Sequence, residues 1–192
     1  IFKNRWPEIK IAVLTSGKTN HDDLYNKINE NFLSLTEAIK WEPNAAIVSS
    51  PSTFHINQSI ELSTAGVPLL IEKPLGSGEE SSLQINKIIN NSKNNIILVG
   101  YVLRHCPCAV YVKNIINQAE LGELVEADFH SASWLPSWRS NIDYRDSVSS
   151  KKSLGGGILL EMSHEIDLAI WFLGKIRICG SFIHNSGILK ID

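Results

Sequence analysis

Two groups of residues have the types and spacing that proton transfer requires, and the first is Glu72-Lys73-Pro74. These charged side chains directly follow the apolar run 67–71, where a buried strand would ordinarily end in a turn. A lysine ammonium in that position can donate a proton or hold an oxyanion. The proline biases the preceding backbone toward extended conformations, which limits where the lysine side chain points. A solvated turn is the structural alternative.

The second group follows three consecutive glycines at 155–157 and contains Glu161, His164 and Asp167. Glu161 and His164 are three residues apart, so a continuous helix would place them on one face. A carboxylate beside an imidazole can orient and charge the ring for proton transfer. The alternative is a first helical turn whose acids complement the helix dipole, with the histidine as a half-buried structural side chain.

An irregular stretch at 134–153 is rich in aromatic and basic residues, among them Trp138, Arg139 and Tyr144. Such side chains suit stacking on a base or sugar ring and binding of a phosphate. A loop held in place by buried tryptophans is the alternative.

Two further patterns do not form known motifs. Ser16-Gly17-Lys18-Thr19 lacks the first glycine of a P-loop, because position 12 is Ala12. Cys106 and Cys108 are too close for standard zinc-ligand spacing, and no second Cys/His pair is suitably spaced. The sequence predicts no metal site.

The elements that would position these residues alternate between apolar runs and helical patterns. Strands are predicted at 9–14, 45–48, 67–71 and 96–99, and helices at 24–40 (two, with a break near residue 31), 55–65 and 77–92. Continuous apolar runs are typical of parallel strands covered by helices on both faces. The predicted fold class is α/β, a Rossmann-type doubly wound parallel sheet, in which ligands bind at the carboxyl ends of the strands.

The pattern changes after residue 101. Helices at 107–120 and 158–173, and strands at 124–132 and 177–184, predict the start of an α+β domain with an open sheet. The predicted domains are therefore 1–101 and 102–192.

Composition excludes several functional classes. The 192 residues are 43% hydrophobic and 20% charged, with a formal charge of −2, as in an ordinary globular protein. Without a basic field, neither nucleic acid nor a membrane surface is an expected partner. Three cysteines form no disulfide framework and no secretory signal precedes them, so a cytoplasmic location is predicted.

Five motifs, in this order, resemble the glucose–fructose oxidoreductase / inositol dehydrogenase / MocA (Gfo/Idh/MocA) family of nicotinamide-dependent dehydrogenases. They lie within about residues 9–185, at 50–55, 66–75, 100–107, 121–124 and 155–174. The similarity is greatest to members with Trp-x-Pro-x-Trp-Arg, Asp-Tyr-Arg and Ser-His-Glu-Ile-Asp. Such members occur among surface-sugar biosynthesis genes, which implies a nucleotide sugar or sialic-acid-like substrate.

The resemblance implies roles for the residues of both groups. Lys73 would bind or protonate the substrate oxygen, Glu72 would seat the nicotinamide ribose, and His164 would be the acid/base. The other implied cofactor-binding residues are Ser16, Gly17, Lys18, Ser50, Pro51, His55, Lys73 and Arg104. The implied substrate-binding residues are Lys73, Trp138, Arg139, Tyr144, Glu161 and His164.

The sequence departs from the family pattern in two places. Many members have an aspartate four residues before the histidine, where this chain has Leu160, and the nearest acid is Glu161. No Gly-x-Gly-x-x-Gly turn occurs in the 192 residues, and the strand at 9–14 corresponds to the family's second strand. Its end, at 16–19, carries no acid, which favours NADP over NAD.

The resemblance therefore implies an NAD(P)-dependent oxidoreductase acting on a sugar or nucleotide-sugar hydroxyl or carbonyl. The start at Ile1, with no glycine turn, indicates an internal portion of a longer protein, and we expect the chain alone to be inactive. A homo-oligomer through the C-terminal sheet is the expected assembly. The main alternative is a non-catalytic sugar- or nucleotide-binding protein of the same fold, and a periplasmic-type sugar-binding domain is a third.

Overall fold

The first half of the chain alternates short strands with helices. The computed structural model describes residues 2–15, 28–78, 80 and 82–191. Within them the first half contains α1 (Phe2–Arg5), β1 (Ala12–Leu14), β2 (Glu30–Phe32), α2 (Leu35–Lys40), β3 (Ala46–Val48), α3 (Ser52–Thr64), β4 (Leu69–Ile71), α4 (Ser82–Ser92) and β5 (Ile97–Val99).

The second half is helical and irregular. It contains α5 (Pro107–Asn117), α6 (Ile158–Glu161), α7 (Ser163–Leu173) and 3-10 turns at Val102–His105, Leu135–Ser137, Tyr144–Asp146, Val148–Ser150 and Lys152–Leu154. No helix in the described part of the chain is both long and apolar enough to cross a membrane.

The described strands form two parallel sheets. Strand β1 pairs with β2, and β4 lies between β3 and β5. A doubly wound dinucleotide-binding sheet has the strand order 3-2-1-4-5-6. The pair β2-β1 therefore matches strands 3-2 of that order, and the three strands β3-β4-β5 match strands 4-5-6.

The core lies on one face of the larger sheet. The buried cluster consists of Val48, Leu62, Val67, Leu69 and Ile71, with Leu35 and Ile39 of α2 packed against it. On the other face, Ile47, Leu70 and Leu98 are in register and are 51%, 37% and 58% exposed. The apolar runs predicted coverage on both faces, but in the structure this second face is open.

The predicted pair of helices at 24–40 is wrong in its central part. Residues 24–27 lie outside the described residues, and β2 occupies Glu30–Phe32. The strand forms because β1 offers it a parallel edge, with Val13 opposite Asn31. The Asn29 side chain also accepts a hydrogen bond from the Ile11 backbone N–H, at 2.9 Å. Within the described residues, α2 matches the second of the two predicted helices.

The strands predicted at 124–132 and 177–184 are not formed in the structure. Both segments lack regular secondary structure, with Val125 95% and Phe182 90% exposed. A strand requires a partner for its backbone hydrogen bonds, and neither segment forms a ladder within the described part of the chain. Alternating polarity indicates a preference for extended backbone, but among the described residues no neighbouring strand pairs with either segment.

Replacing Gly156 with alanine is expected to destabilise the chain by about 2 kcal/mol, since over-packing typically costs this much. An added Cβ would lie 2.4 Å from the Val148 carbonyl oxygen and 2.7 Å from that of Ser149. In thermal unfolding, the midpoint should fall by roughly 4–8 °C. Gly180→Ala is the matched control, because nothing lies within 4 Å of its added Cβ. Equal midpoints for the two variants would contradict the packing at residue 156.

Candidate active site

Lys73 joins the two groups of candidate proton-transfer residues. It follows β4, and its Nζ donates to the Glu161 backbone oxygen at 3.0 Å and lies 3.3 Å from Glu161 Oε2. Both side chains are about one-fifth exposed, 21% and 20%. The Lys73–Pro74 peptide bond is cis. The carboxyl end of the central strand is thus connected to the end of α6 through a half-buried ion pair.

The helix that carries Glu161 is interrupted before His164. Helix α6 ends at Glu161, and α7 begins at Ser163 after Met162, whose φ and ψ are −93° and 23°. The prediction that Glu161 and His164 share one face of a continuous helix is therefore wrong, because the break changes the direction of the chain between them. Glu161 nevertheless contacts a predicted catalytic residue, Lys73.

His164 is half-buried, and one of its ring nitrogens lacks a hydrogen-bond partner among the described residues. This nitrogen is Nδ1, which is buried. Its ring packs edge-on against Tyr101, with centroids 5.8 Å apart and an interplanar angle of 83°. Tyr101 lies just beyond β5, so the strand end positions the imidazole. The sequence-based site did not include Tyr101, although its place at a strand end was a usable signal.

Glu72 lies where the ends of β4 and β5 meet. Its Oε2 would be 3.3 Å from a Cβ added to Gly100, and the Gly100 N–H donates to the Ile71 carbonyl oxygen at 2.7 Å. The absence of a side chain at Gly100 therefore leaves room for the carboxylate. Its role toward a nicotinamide ribose stays a prediction.

His55 connects the loops that follow β3 and β4. The side chain is buried, with Nδ1 2.8 Å from the Pro74 carbonyl oxygen and Nε2 2.7 Å from that of Ser50. Both oxygens are acceptors, and which ring nitrogen donates depends on the tautomer. Its predicted place in the cofactor site remains untested, but the ring fixes the backbone directly after Lys73.

Ser50 and Pro51 lie at the carboxyl end of β3. The Ser50 hydroxyl donates to Gln58 Oε1 at 2.7 Å, within the first half of α3. Pro51 occupies the N-cap position of that helix. The structure therefore places both residues at the sheet edge where the cofactor is predicted to bind, and their contact with a cofactor remains a prediction.

Arg104 forms an ion pair with a residue of α7. It donates two hydrogen bonds to Asp167, from Nε at 2.8 Å and from Nη2 at 2.7 Å, and it lies 5.8 Å from the Trp171 ring centroid. The hydrogen bonds to Asp167 raise the pKa of the Arg104 guanidinium, so it stays charged. The bidentate pair connects the turn after β5 to the helix that carries His164. A contact of Arg104 with nicotinamide remains a prediction.

The structure brings the predicted aromatic and basic residues of 134–153 into one cleft. Its lining residues are Leu135, Trp138, Arg139, Ile142, Tyr144, Ser147 and Ser149. Trp134 and Trp138 are 55% and 38% exposed, so buried tryptophans do not hold this loop in place. The exposed rings favour the interpretation as a binding surface. The Tyr144 hydroxyl also accepts a hydrogen bond from the Lys190 backbone N–H at 3.2 Å.

Two parts of the predicted site remain to be accounted for. Ser16, Gly17 and Lys18, expected beside the adenosine ribose, lie outside the described residues. No cluster of three or more His, Cys, Asp or Glu side chains suited to a metal ion occurs in the described part of the chain.

Part of this chain is similar to known proteins. Residues 109–186 match the model of the GFO/IDH/MocA C-terminal domain. Inositol 2-dehydrogenase 2 of Saccharopolyspora erythraea is 26% identical over 135 residues, covering 70% of this chain and 36% of the relative. The chain spans less than half the length of this relative.

Solved structures show the same fold. Myo-inositol 2-dehydrogenase from Lactobacillus plantarum superposes with a TM-score of 0.65 at 21% identity, covering 84% of this chain and 48% of its own. The WlbA dehydrogenase from Bordetella pertussis, in complex with NADH and UDP-GlcNAcA, gives 0.67 at 18% identity, with coverages of 85% and 47%. The predicted Rossmann-type α/β class is confirmed. The chain thus resembles the Gfo/Idh/MocA family, as its motifs predict, and residues 109–186 correspond to that family's C-terminal domain.

Proposed function

We propose that this chain is the central part of an NAD(P)-dependent oxidoreductase that acts on a CH–OH group of a sugar or nucleotide sugar. The main support is the contact between Lys73 and Glu161, at 3.0 Å and 3.3 Å, three residues before His164. The packing of His164 on Tyr101, just beyond β5, supports an imidazole near the same end of the parallel sheet, where ligands of this fold class bind.

The chemistry requires a proton acceptor near the substrate hydroxyl. Hydride leaves a carbinol carbon only as the hydroxyl proton departs, so a base must lie within hydrogen-bond reach. In this proposal the His164 imidazole takes that proton. Lys73 binds the same oxygen through its ammonium, and Glu161 holds Lys73 in position while leaving one ammonium proton for the substrate.

The residues present suit the nicotinamide half of the cofactor. The ends of β3, β4 and β5 bring Ser50, Pro51 and Glu72 to one edge, and Gly100 leaves space beside the Glu72 carboxylate. A bound nicotinamide would accept or donate the hydride. The 192 residues contain no Gly-x-Gly-x-x-Gly turn, so the pyrophosphate cradle would come from sequence outside them.

Finer parts of the proposal have separate support. The absence of an acid at 16–19 favours NADP, and the change of pattern after residue 101 supports domains 1–101 and 102–192. The exposed Trp134 and Trp138 rings support stacking on the base or sugar of a nucleotide sugar, beside Arg139 and Tyr144. We also propose that the protein acts in surface-polysaccharide or sialic-acid-like sugar biosynthesis. In this proposal it is a homo-oligomer in the cytoplasm.

The experiment is a turnover assay on the full-length protein, followed through reduced nicotinamide absorbance. Inositols and UDP-linked hexoses are tested with NAD and with NADP. We expect turnover of at least one compound, with the higher kcat/KM for NADP.

The rival is a non-catalytic sugar-binding protein of the same fold. Sugar binding by calorimetry without turnover of any compound, in a full-length protein that also lacks the glycine turn, would establish that rival and overturn the enzyme.

A further inference from the structure

Cys106 and Cys108 face each other on either side of Pro107. Their Sγ atoms are 3.2 Å apart, with Cys106 partly exposed and Cys108 exposed. The sulfurs of a disulfide are about 2.05 Å apart. An approach of roughly 1 Å would therefore join them, and solvent-borne reagents can reach both.

The start of α5 determines this arrangement. Cys106 is the N-cap residue of α5, and its side chain makes no capping hydrogen bond. Pro107 occupies the first helical position, where its fixed φ is compatible with the helix. The Cys106 sulfur lies at the start of the helix and contacts the Cys108 sulfur, two residues along.

The two thiols are not equivalent. The hydrogen bond from Cys108 lowers the pKa of the Cys106 thiol, and the same contact raises the pKa of the Cys108 thiol. The thiolate is the attacking species in disulfide exchange, and the lowered pKa favours Cys106 as the attacking thiol.

We propose that Cys106 and Cys108 form a redox-active dithiol that closes reversibly into an intramolecular disulfide by exchange with a low-molecular-weight disulfide such as glutathione disulfide. The Cys106 thiolate attacks one glutathione sulfur, breaking the S–S bond and releasing one glutathione thiolate. The Cys108 thiolate then attacks Cys106 Sγ in the mixed disulfide and releases the second glutathione. In total, two protein thiols are oxidised and one glutathione disulfide is reduced to two glutathione molecules.

The position of the dithiol gives the reaction a structural consequence. Cys106 directly follows the turn Val102–His105, which carries Arg104 and begins after Tyr101. Closing the disulfide would constrain the segment between the residue that packs on His164 and the start of α5. The proposal concerns the thiols alone and does not rest on the proposed function.

The third cysteine supplies an internal control. Cys179 is exposed, and its sulfur lies 3.8 Å from the Arg177 carbonyl oxygen. A thiol without a neighbouring thiol can form a mixed disulfide but cannot resolve it by itself.

The test equilibrates the chain in glutathione buffers of decreasing reducing strength, followed by acid quenching, alkylation, digestion and mass spectrometry. In the wild type, the peptide containing residues 106–108 should lose the mass of two hydrogen atoms and escape alkylation. In Cys108→Ser, Cys106 should retain glutathione, at a fraction at least about tenfold higher than in the wild type, because no resolving thiol is present. Cys179 should behave identically in both proteins.

The opposite result would overturn the proposal. If the wild type and Cys108→Ser carry equal amounts of glutathione on Cys106, the second thiol does not resolve the first. Circular dichroism that is unchanged between the two proteins would confirm that the comparison reports thiol chemistry and not unfolding.

Discussion

Replacing Lys73 with methionine in the full-length protein is expected to lower kcat by about 100-fold or more, a typical loss for a group that assists proton transfer. Methionine keeps an unbranched side chain but removes the ammonium that contacts Glu161 at 3.0 Å and 3.3 Å. Without it, no cation at the end of β4 stabilises charge on the substrate oxygen. Steady-state kinetics with saturating cofactor would measure the change.

Glu161→Gln separates the positioning of the ammonium from its chemistry. The Glu161 backbone oxygen, which accepts the 3.0 Å hydrogen bond, is unaffected by this change, and the side-chain amide can still accept one. We therefore expect a smaller loss, about tenfold in kcat, because the neutral amide holds the ammonium less firmly. Lys93→Met is the matched control, since its Nζ donates to Asn90 Oδ1 at 3.1 Å at the exposed end of α4. It should retain wild-type kcat.

The relative losses of kcat in Lys73→Met, Glu161→Gln and Lys93→Met test the role assigned to Lys73. A Lys73→Met enzyme that folds normally and turns over at the rate of the Lys93→Met control would exclude Lys73 from the chemistry. A loss confined to KM would assign Lys73 to substrate binding alone, because uniform binding does not change kcat.

The strands of the larger sheet were predictable because their apolar residues are consecutive. The runs 45–48, 67–71 and 96–99 contain β3, β4 and β5. Strand β2 was not predictable, because its sequence Glu-Asn-Phe has no apolar run and its structure depends on pairing with β1. The helical periodicity of the flanking residues therefore predicted a helix where the structure has a strand.

The candidate site was predictable as a set of residues but not as a set of contacts. Strand ends and a resemblance identified Lys73 and His164. The break at Met162 has no glycine or proline to mark it, so spacing alone placed Glu161 beside His164 and missed its contact with Lys73. The packing of Tyr101 on His164 joins segments 63 residues apart in sequence, and no local pattern reports such a contact.

His164→Asn is expected to lower kcat by about 100-fold or more. Asparagine keeps a planar polar side chain but has no basic ring nitrogen, so the proton acceptor for the substrate hydroxyl is lost. Cofactor binding, measured by fluorescence quenching, should change little, because the proposed cofactor-binding residues Ser50, Pro51 and Glu72 are on other elements.

Tyr101→Phe is the control that distinguishes chemistry from ring packing. Phenylalanine preserves the edge-on contact with His164, at 5.8 Å between centroids, and removes only the hydroxyl. We expect its kcat to remain within about threefold of wild type, whereas Tyr101→Ala should lose activity by freeing the imidazole from its position. If His164→Asn turned over at the rate of Tyr101→Phe, another group would be the proton acceptor. The strand end that carries Tyr101 would then serve only to pack α7 against the sheet.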